Sequence, residues 1–120
     1  MNTWYSRPVF FVTDPARSIA FYVDQLGFKQ DWAHEHDGEL IVAQVSRGDF
    51  ELILNKDAAR VGKGRIYFHL HDEQITSLRE EFTAKGLAMR DVRWGEPKTE
   101  VLDPDGNELL FDKLSVGEID

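Results

Sequence analysis

The stretch that decides the fold is Trp94 to Phe111, WGEPKTEVLDPDGNELLF. A Trp-Gly pair leads into a short alternating run, an Asp-Pro-Asp-Gly-Asn turn and a second alternating run. Pro104 fixes φ and Gly106 or Asn107 accepts positive φ, so the stretch predicts a β-hairpin with a defined turn. Nothing in it is evidently catalytic. Trp94 at its mouth and the carboxylates along it point instead to a binding groove, and the rest of the chain is what surrounds that groove.

Upstream, residues 8–13 (PVFFVT) form a short apolar run, a buried strand. Asp14-Pro15 opens a helix, with Asp14 as cap and Pro15 at the first helical position. Ile19, Phe21, Tyr22, Val23 and Leu26 give it an apolar face, and Gly27 stops it. Three strands follow, from Phe28 to His36, Leu40 to Ser46 and Phe50 to Asn55, with turns at Asp37-Gly38 and Arg47-Gly48-Asp49. Residues 56–64 (KDAARVGKG) read as a linker. The plan then repeats. Arg65 to His71 is a strand, Asp72 caps a helix carrying Ile75, Leu78 and Phe82 up to Gly86, and a strand and the hairpin complete the set. A duplication of this kind implies two similar sheets side by side with a concave surface between them.

At 120 residues the chain is one domain by size, with modules at about 7–56 and 64–113. A net charge of −8 argues against nucleic acid as a partner, because a polyanion is repelled where no basic patch offsets it. Without cysteine there are no disulfides, thiolate ligands or Cys nucleophile. No leader pattern and no apolar run of the ~18 residues a membrane span needs is visible, so the expected location is the cytoplasm, away from membranes.

The strings VTDPARSIAFYVDQLGF, RGDFELIL and WGEPKTEVLDPDGNELLF resemble the vicinal-oxygen-chelate superfamily. That superfamily includes glyoxalase I, extradiol dioxygenases, fosfomycin resistance enzymes and bleomycin resistance proteins. The resemblance runs from about Arg7 to Asp112 and implies an α+β fold, two βαβββ modules forming a concave mixed sheet, and a homodimer. Metal-dependent members carry ligands at four concave positions, which here are Arg7, Glu51, Arg65 and Leu110. A guanidinium stays protonated and has no lone pair, and leucine has no donor atom, so no metal or other cofactor is expected there. A different set, from His34 and His36 on one strand face and His69 and His71 on another, is the alternative metal reading.

Among metal-free members, bleomycin resistance proteins are the most similar. They share the Leu-Gly-Phe-x-x-Asp-aromatic string, here Leu26 to Trp32, the Arg47 to Leu54 run, and a Trp-Gly before the Asp-Pro hairpin. The resemblance makes Trp94 a residue that stacks on a planar ligand, with acidic groove residues facing its cationic groups. Here Trp94 lies nine residues before Asp103, one more than in those relatives, and Asp37-Gly38 stands where a second clamping aromatic is expected, with Trp32 nearby. The candidate ligand-binding residues are Trp94, Phe11, Trp32, Glu51, Arg65, Tyr67, His69, Glu108 and Leu110. Stacking on one ring contributes about 0.5–1.5 kcal/mol beyond area burial. The bland alternatives are that Phe11 and Tyr67 are core and that Arg65 forms a plain ion pair with Glu51 or Glu108.

The expected function is metal-independent binding of a small planar or cationic compound, of the antibiotic-resistance type. The competing readings are a lyase, isomerase or dioxygenase with an atypical site, in which Glu51 or Glu108 acts as base, and a dimeric scaffold without a ligand.

Overall fold

The computed structural model describes residues 3–94 and 96–113, without the side chains of 93–97 and 113. The first half runs β1 (Val9–Val12), α1 (Pro15–Ala20), a π-helical turn (Phe21–Gln25), β2 (Lys29–His36), β3 (Glu39–Arg47) and β4 (Phe50–Lys56). After a 3₁₀ turn (Ala58–Arg60) come β5 (Arg65–Leu70), α2 (Asp72–Ala84), β6 (Arg90–Trp94), β7 (Glu96–Leu102) and β8 (Glu108–Lys113). The strand orders are β1-β4-β3-β2 in one sheet and β5-β8-β7-β6 in the other. In each, the first strand pairs parallel with the last, Val9 opposite Ile53 and Arg65 opposite Glu108, and the other neighbours are antiparallel. The duplicated βαβββ plan is thus present as an α+β fold.

Period-two alternation decides which sheet face meets the helices. Phe10, Val12, Val45, Leu52 and Leu54 of the first sheet and Val101, Leu109 and Phe111 of the second share one core with Tyr22, Leu26 and Phe82. A chain of rings crosses between the halves: Phe28–Phe50 at 6.0 Å, Phe50–Phe68 at 4.8 Å and Phe68–Phe111 at 4.9 Å between centroids. Fully burying a side chain such as Leu52 or Leu54 contributes about 1.5–3 kcal/mol. The opposite faces of both sheets point away from this core.

Local chemistry explains the helix starts. Asp14 is extended and accepts from the backbone N–H of Ala16 at 3.1 Å, with Pro15 following it. Two expectations change. The first helix is α-helical only to Ala20 and then widens into the π turn, which sets Tyr22 and Leu26 fully into the core. The cap of α2 is His71, not Asp72: the His71 N–H donates to the Gln74 side chain at 2.9 Å. Asp72 is the first helical residue, where its charge favours the positive end of the helix.

The hairpin turn closes the fold. Gly106 takes φ +89°, and Asp103 Oδ1 accepts from the backbone N–H groups of Asp105 and Asn107, both at 2.9 Å. Asp105 accepts from the Thr13 N–H at 3.1 Å, the Thr13 hydroxyl at 2.6 Å and Arg17 at 3.2 Å. Asn107 accepts from the Gly64 N–H at 2.8 Å and donates to the Phe11 carbonyl at 3.3 Å. Gly64 has to be glycine here, since a Cβ would lie 2.4 Å from the Phe10 ring and 2.8 Å from Asn107 Oδ1. The turn carboxylates, read from sequence as part of a groove, clamp one half of the chain to the other.

Candidate functional site

On the first sheet, the outer face carries a polar network built on β3. Gln44 and Ser46 alternate with the buried Ala43 and Val45, and the register puts Ser46 opposite Glu51 and Gln44 opposite Trp32. A register shift between Gln30 and Trp32 frees Asp31 to turn its carboxylate to the same face. Gln44 is only 4% exposed, so its amide must be bonded within the protein. Its Oε1 accepts from Arg7 at 2.8 Å, and its Nε2 donates to Asp31 at 2.9 Å and Glu51 at 3.2 Å. The Ser46 hydroxyl donates to Asp31 at 3.0 Å, and the Tyr5 hydroxyl donates to Glu51. Hydrogen bonding from Gln44, helped by Ser46, holds the Asp31 carboxyl below its ordinary range against partial desolvation. Trp32 is half-buried with its ring 5.3 Å from that of His34, and Phe11 lies under the Arg60 guanidinium at 5.1 Å.

The outer face of the second sheet is charged. Arg65 donates to both oxygens of Glu108, at 3.1 and 3.2 Å. Arg90 pairs with the buried Glu100 at 2.6 Å. Lys98, also buried, pairs with Asp112 at 2.8 Å, and Tyr67 donates to the same carboxylate oxygen at 2.9 Å. The Asp112 hydrogen bond is the main reason the Lys98 ammonium is raised above its usual range, while burial raises the Tyr67 phenol. The Tyr67 and His69 rings stack at 4.5 Å. Arg65, Arg90, Glu100, Glu108 and Leu110 border a groove of about 470 Å³.

The residues singled out in the sequence therefore fall into two sets. Phe11, Trp32 and Glu51 belong to the first sheet, and Arg65, Tyr67, His69, Glu108 and Leu110 to the second. Trp94 ends β6 opposite Glu96, and its side chain lies outside the described residues. Of the two partners considered for Arg65, Glu108 is the one it bonds. Gln44, Ser46, Arg90, Lys98, Glu100 and Asp112 escaped sequence reasoning, and Asp31 entered it only as the Asp of the Leu26 to Trp32 string. A signal for two of them was present, since Gln44 and Ser46 are polar residues two apart inside the apolar run LIVAQVS.

The four positions at which a metal would be held do not fit one. Arg7 is bonded to Gln44, Arg65 to Glu108, Leu110 is 3% exposed and donorless, and Glu51 supplies the single carboxylate. No group of three or more His, Cys, Asp or Glu among the described residues could hold a metal ion.

The family described as glyoxalase superfamily protein matches residues 4–118. The chain belongs to the glyoxalase superfamily. Solved structures with the same fold include the bleomycin-binding protein of bleomycin-producing Streptomyces verticillus, complexed with copper(II)-bleomycin. That protein is 24% identical, with 96% of this chain and 100% of that one covered and a TM-score of 0.74. An antibiotic-binding protein from a Streptomyces species is 20% identical over 96% of this chain and 100% of that one, TM-score 0.66. The fosfomycin resistance protein of Mesorhizobium loti is 17% identical over 98% of both chains, TM-score 0.67. No curated protein matches this glyoxalase superfamily chain. None of its described helices is long and apolar enough to cross a membrane.

Proposed function

We propose that this glyoxalase superfamily protein binds and sequesters a small planar or cationic compound without a metal, as a resistance protein that lowers the free concentration of a toxic molecule. The observation that carries the reading is the Arg65–Glu108 pair beside buried Leu110, where a metal-dependent relative would place ligands. Stacked Tyr67 and His69 offer a flat ligand an aromatic surface on the sheet face that holds the 470 Å³ groove, whose Glu100 and Glu108 are paired with Arg90 and Arg65. Trp94 is the proposed stacking wall. Glu51 serves poorly as a base, since both its oxygens already accept hydrogen bonds, from Tyr5 and Gln44.

The proposed assembly is a cytoplasmic homodimer. In one chain the two sets of residues lie on outer faces of separate sheets, and a two-fold partner can set the first sheet of one copy against the second sheet of the other. Exposed Trp4, Tyr5, Val9 and Leu102 give such a contact apolar area.

A thermal-shift panel of bleomycin and other aromatic cations tests the reading, because a ligand bound to the native state raises the melting temperature. A shift for at least one compound, reduced in Trp94→Ala, is expected. Stoichiometric zinc, nickel or iron in the purified protein would overturn the metal-free assignment.

A further inference from the structure

The core-facing sides of the two halves leave a hollow of about 770 Å³ between the β3–β4 turn, β5 and α2. Its walls are Phe28, Phe50, Phe68, Phe82, Phe111 and Leu78. Interiors normally leave few voids larger than a water molecule, and small-molecule clefts run about 300–1,000 Å³. Phe28, Phe50, Phe68 and Leu78 stay partly open to solvent, so this is a reachable cleft and not a sealed defect. Phe68 and Phe111 alternate with Tyr67 and Leu110 along their strands, which puts the hollow on the other side of the second sheet from the Arg65–Glu108 pair.

The rim is acidic. Asp49, Glu73 and Glu81 border it, with Arg47 as the one guanidinium or ammonium group among the described lining residues. Arg47 is held by Glu81 through bonds of 2.7 and 3.0 Å and by the Leu26 carbonyl at 2.7 Å. Asp49 and Glu73 have no ion pair among the described residues and stand at the mouth. We propose that this hollow is a second ligand site, which takes a flat aromatic molecule with a positive charge at one end. The rings lie against the phenylalanines and the charge stays at the rim beside Asp49 and Glu73.

Rhodamine 6G is a suitable probe, followed by fluorescence anisotropy on the full chain. Saturable binding is expected, with one dye per chain lost when the hollow is obstructed. Leu78→Trp, which obstructs the hollow with a larger ring, raises Kd by about tenfold or more, and Asp49→Asn with Glu73→Gln raises it several-fold. Ser77→Trp, at an exposed position of α2 on the same hollow, gives a second measurement should Leu78→Trp fail to fold. Glu35→Gln, which removes an exposed carboxylate of β2 away from the hollow, leaves Kd unchanged. Unaltered affinity in folded Ser77→Trp would overturn the proposal; it would move the dye to the outer face and leave the proposed function standing.

Discussion

The hydroxyl of fully buried Tyr22 donates to Oδ2 of Asp103 at 3.1 Å, joining residues 81 apart in the chain. Burial and the nearby carboxylate raise the Tyr22 phenol well above its usual range, so it stays a donor under all ordinary conditions. Tyr22→Phe removes one of the two donors to that oxygen, the other being Asn107 at 2.9 Å. The expected loss is about 1–3 kcal/mol, read from urea denaturation. An unchanged midpoint would mean that the turn does not depend on this bond.

Gly64→Ala should cost at least as much. The added Cβ meets the Phe10 ring and Asn107 together, neither of which can withdraw without disturbing the core or the turn. Overpacking of this kind costs about 1–3 kcal/mol, and differential scanning calorimetry would record it.

Acid should destabilise the protein through two identifiable carboxyls. Arg47 holds Glu81 below its ordinary range, and Gln44 does the same for Asp31. A depressed folded-state pKa contributes stability that is present above the unfolded pKa, about 4, and is lost as pH falls through the lower folded value. Stability should therefore decline from about pH 5 downward. Arg47→Met should flatten that decline, and an equal slope in the variant would remove Glu81 from the account.

Lys98→Met should lower the melting temperature by taking the ammonium from Asp112, to which Tyr67 still donates, and Asp112→Leu added to it should recover part of the loss. The reason is that a buried ion pair is harmed most when only one of its two charges is removed. A double-mutant cycle separates the pair from the packing of the lysine stem.

Donors can be restored to the four positions that do not fit a metal. Arg7→His, Arg65→His and Leu110→Glu, with native Glu51, make two imidazoles and two carboxylates. The proposed dimer brings the two faces together, so the variant should bind zinc at about one ion per chain, measurable by isothermal titration. Binding by a monomeric form would refute the shared site.

What the sequence disclosed follows from the range of the interactions. Asp14-Pro15, the hairpin turn and the strand alternation are local, and each is visible in a handful of consecutive residues. The His71 cap differs from expectation by one position, because Asp72 suits the first helical turn as well as the cap. The Gln44 network joins residues 7, 31, 44 and 51, and only the strand register brings them together. The choice between Glu51 and Glu108 as partner of Arg65 was undecidable for the same reason: it depends on β5 lying beside β8 and not beside β4.

The clamp at Asp105 and Asn107 also governs how the chain reaches its native state. Bonds spanning 92 and 96 residues tie this turn to Thr13 and to the Phe11 carbonyl. An N-terminal fragment ending near Gly64 would leave the Tyr22 hydroxyl and the edge of β1 without their partners, however complete its own sheet. The duplicated halves should therefore unfold as a single cooperative unit, with folding completed only when the last hairpin arrives. Synthesis from the N-terminus keeps the first half waiting for nearly the whole chain.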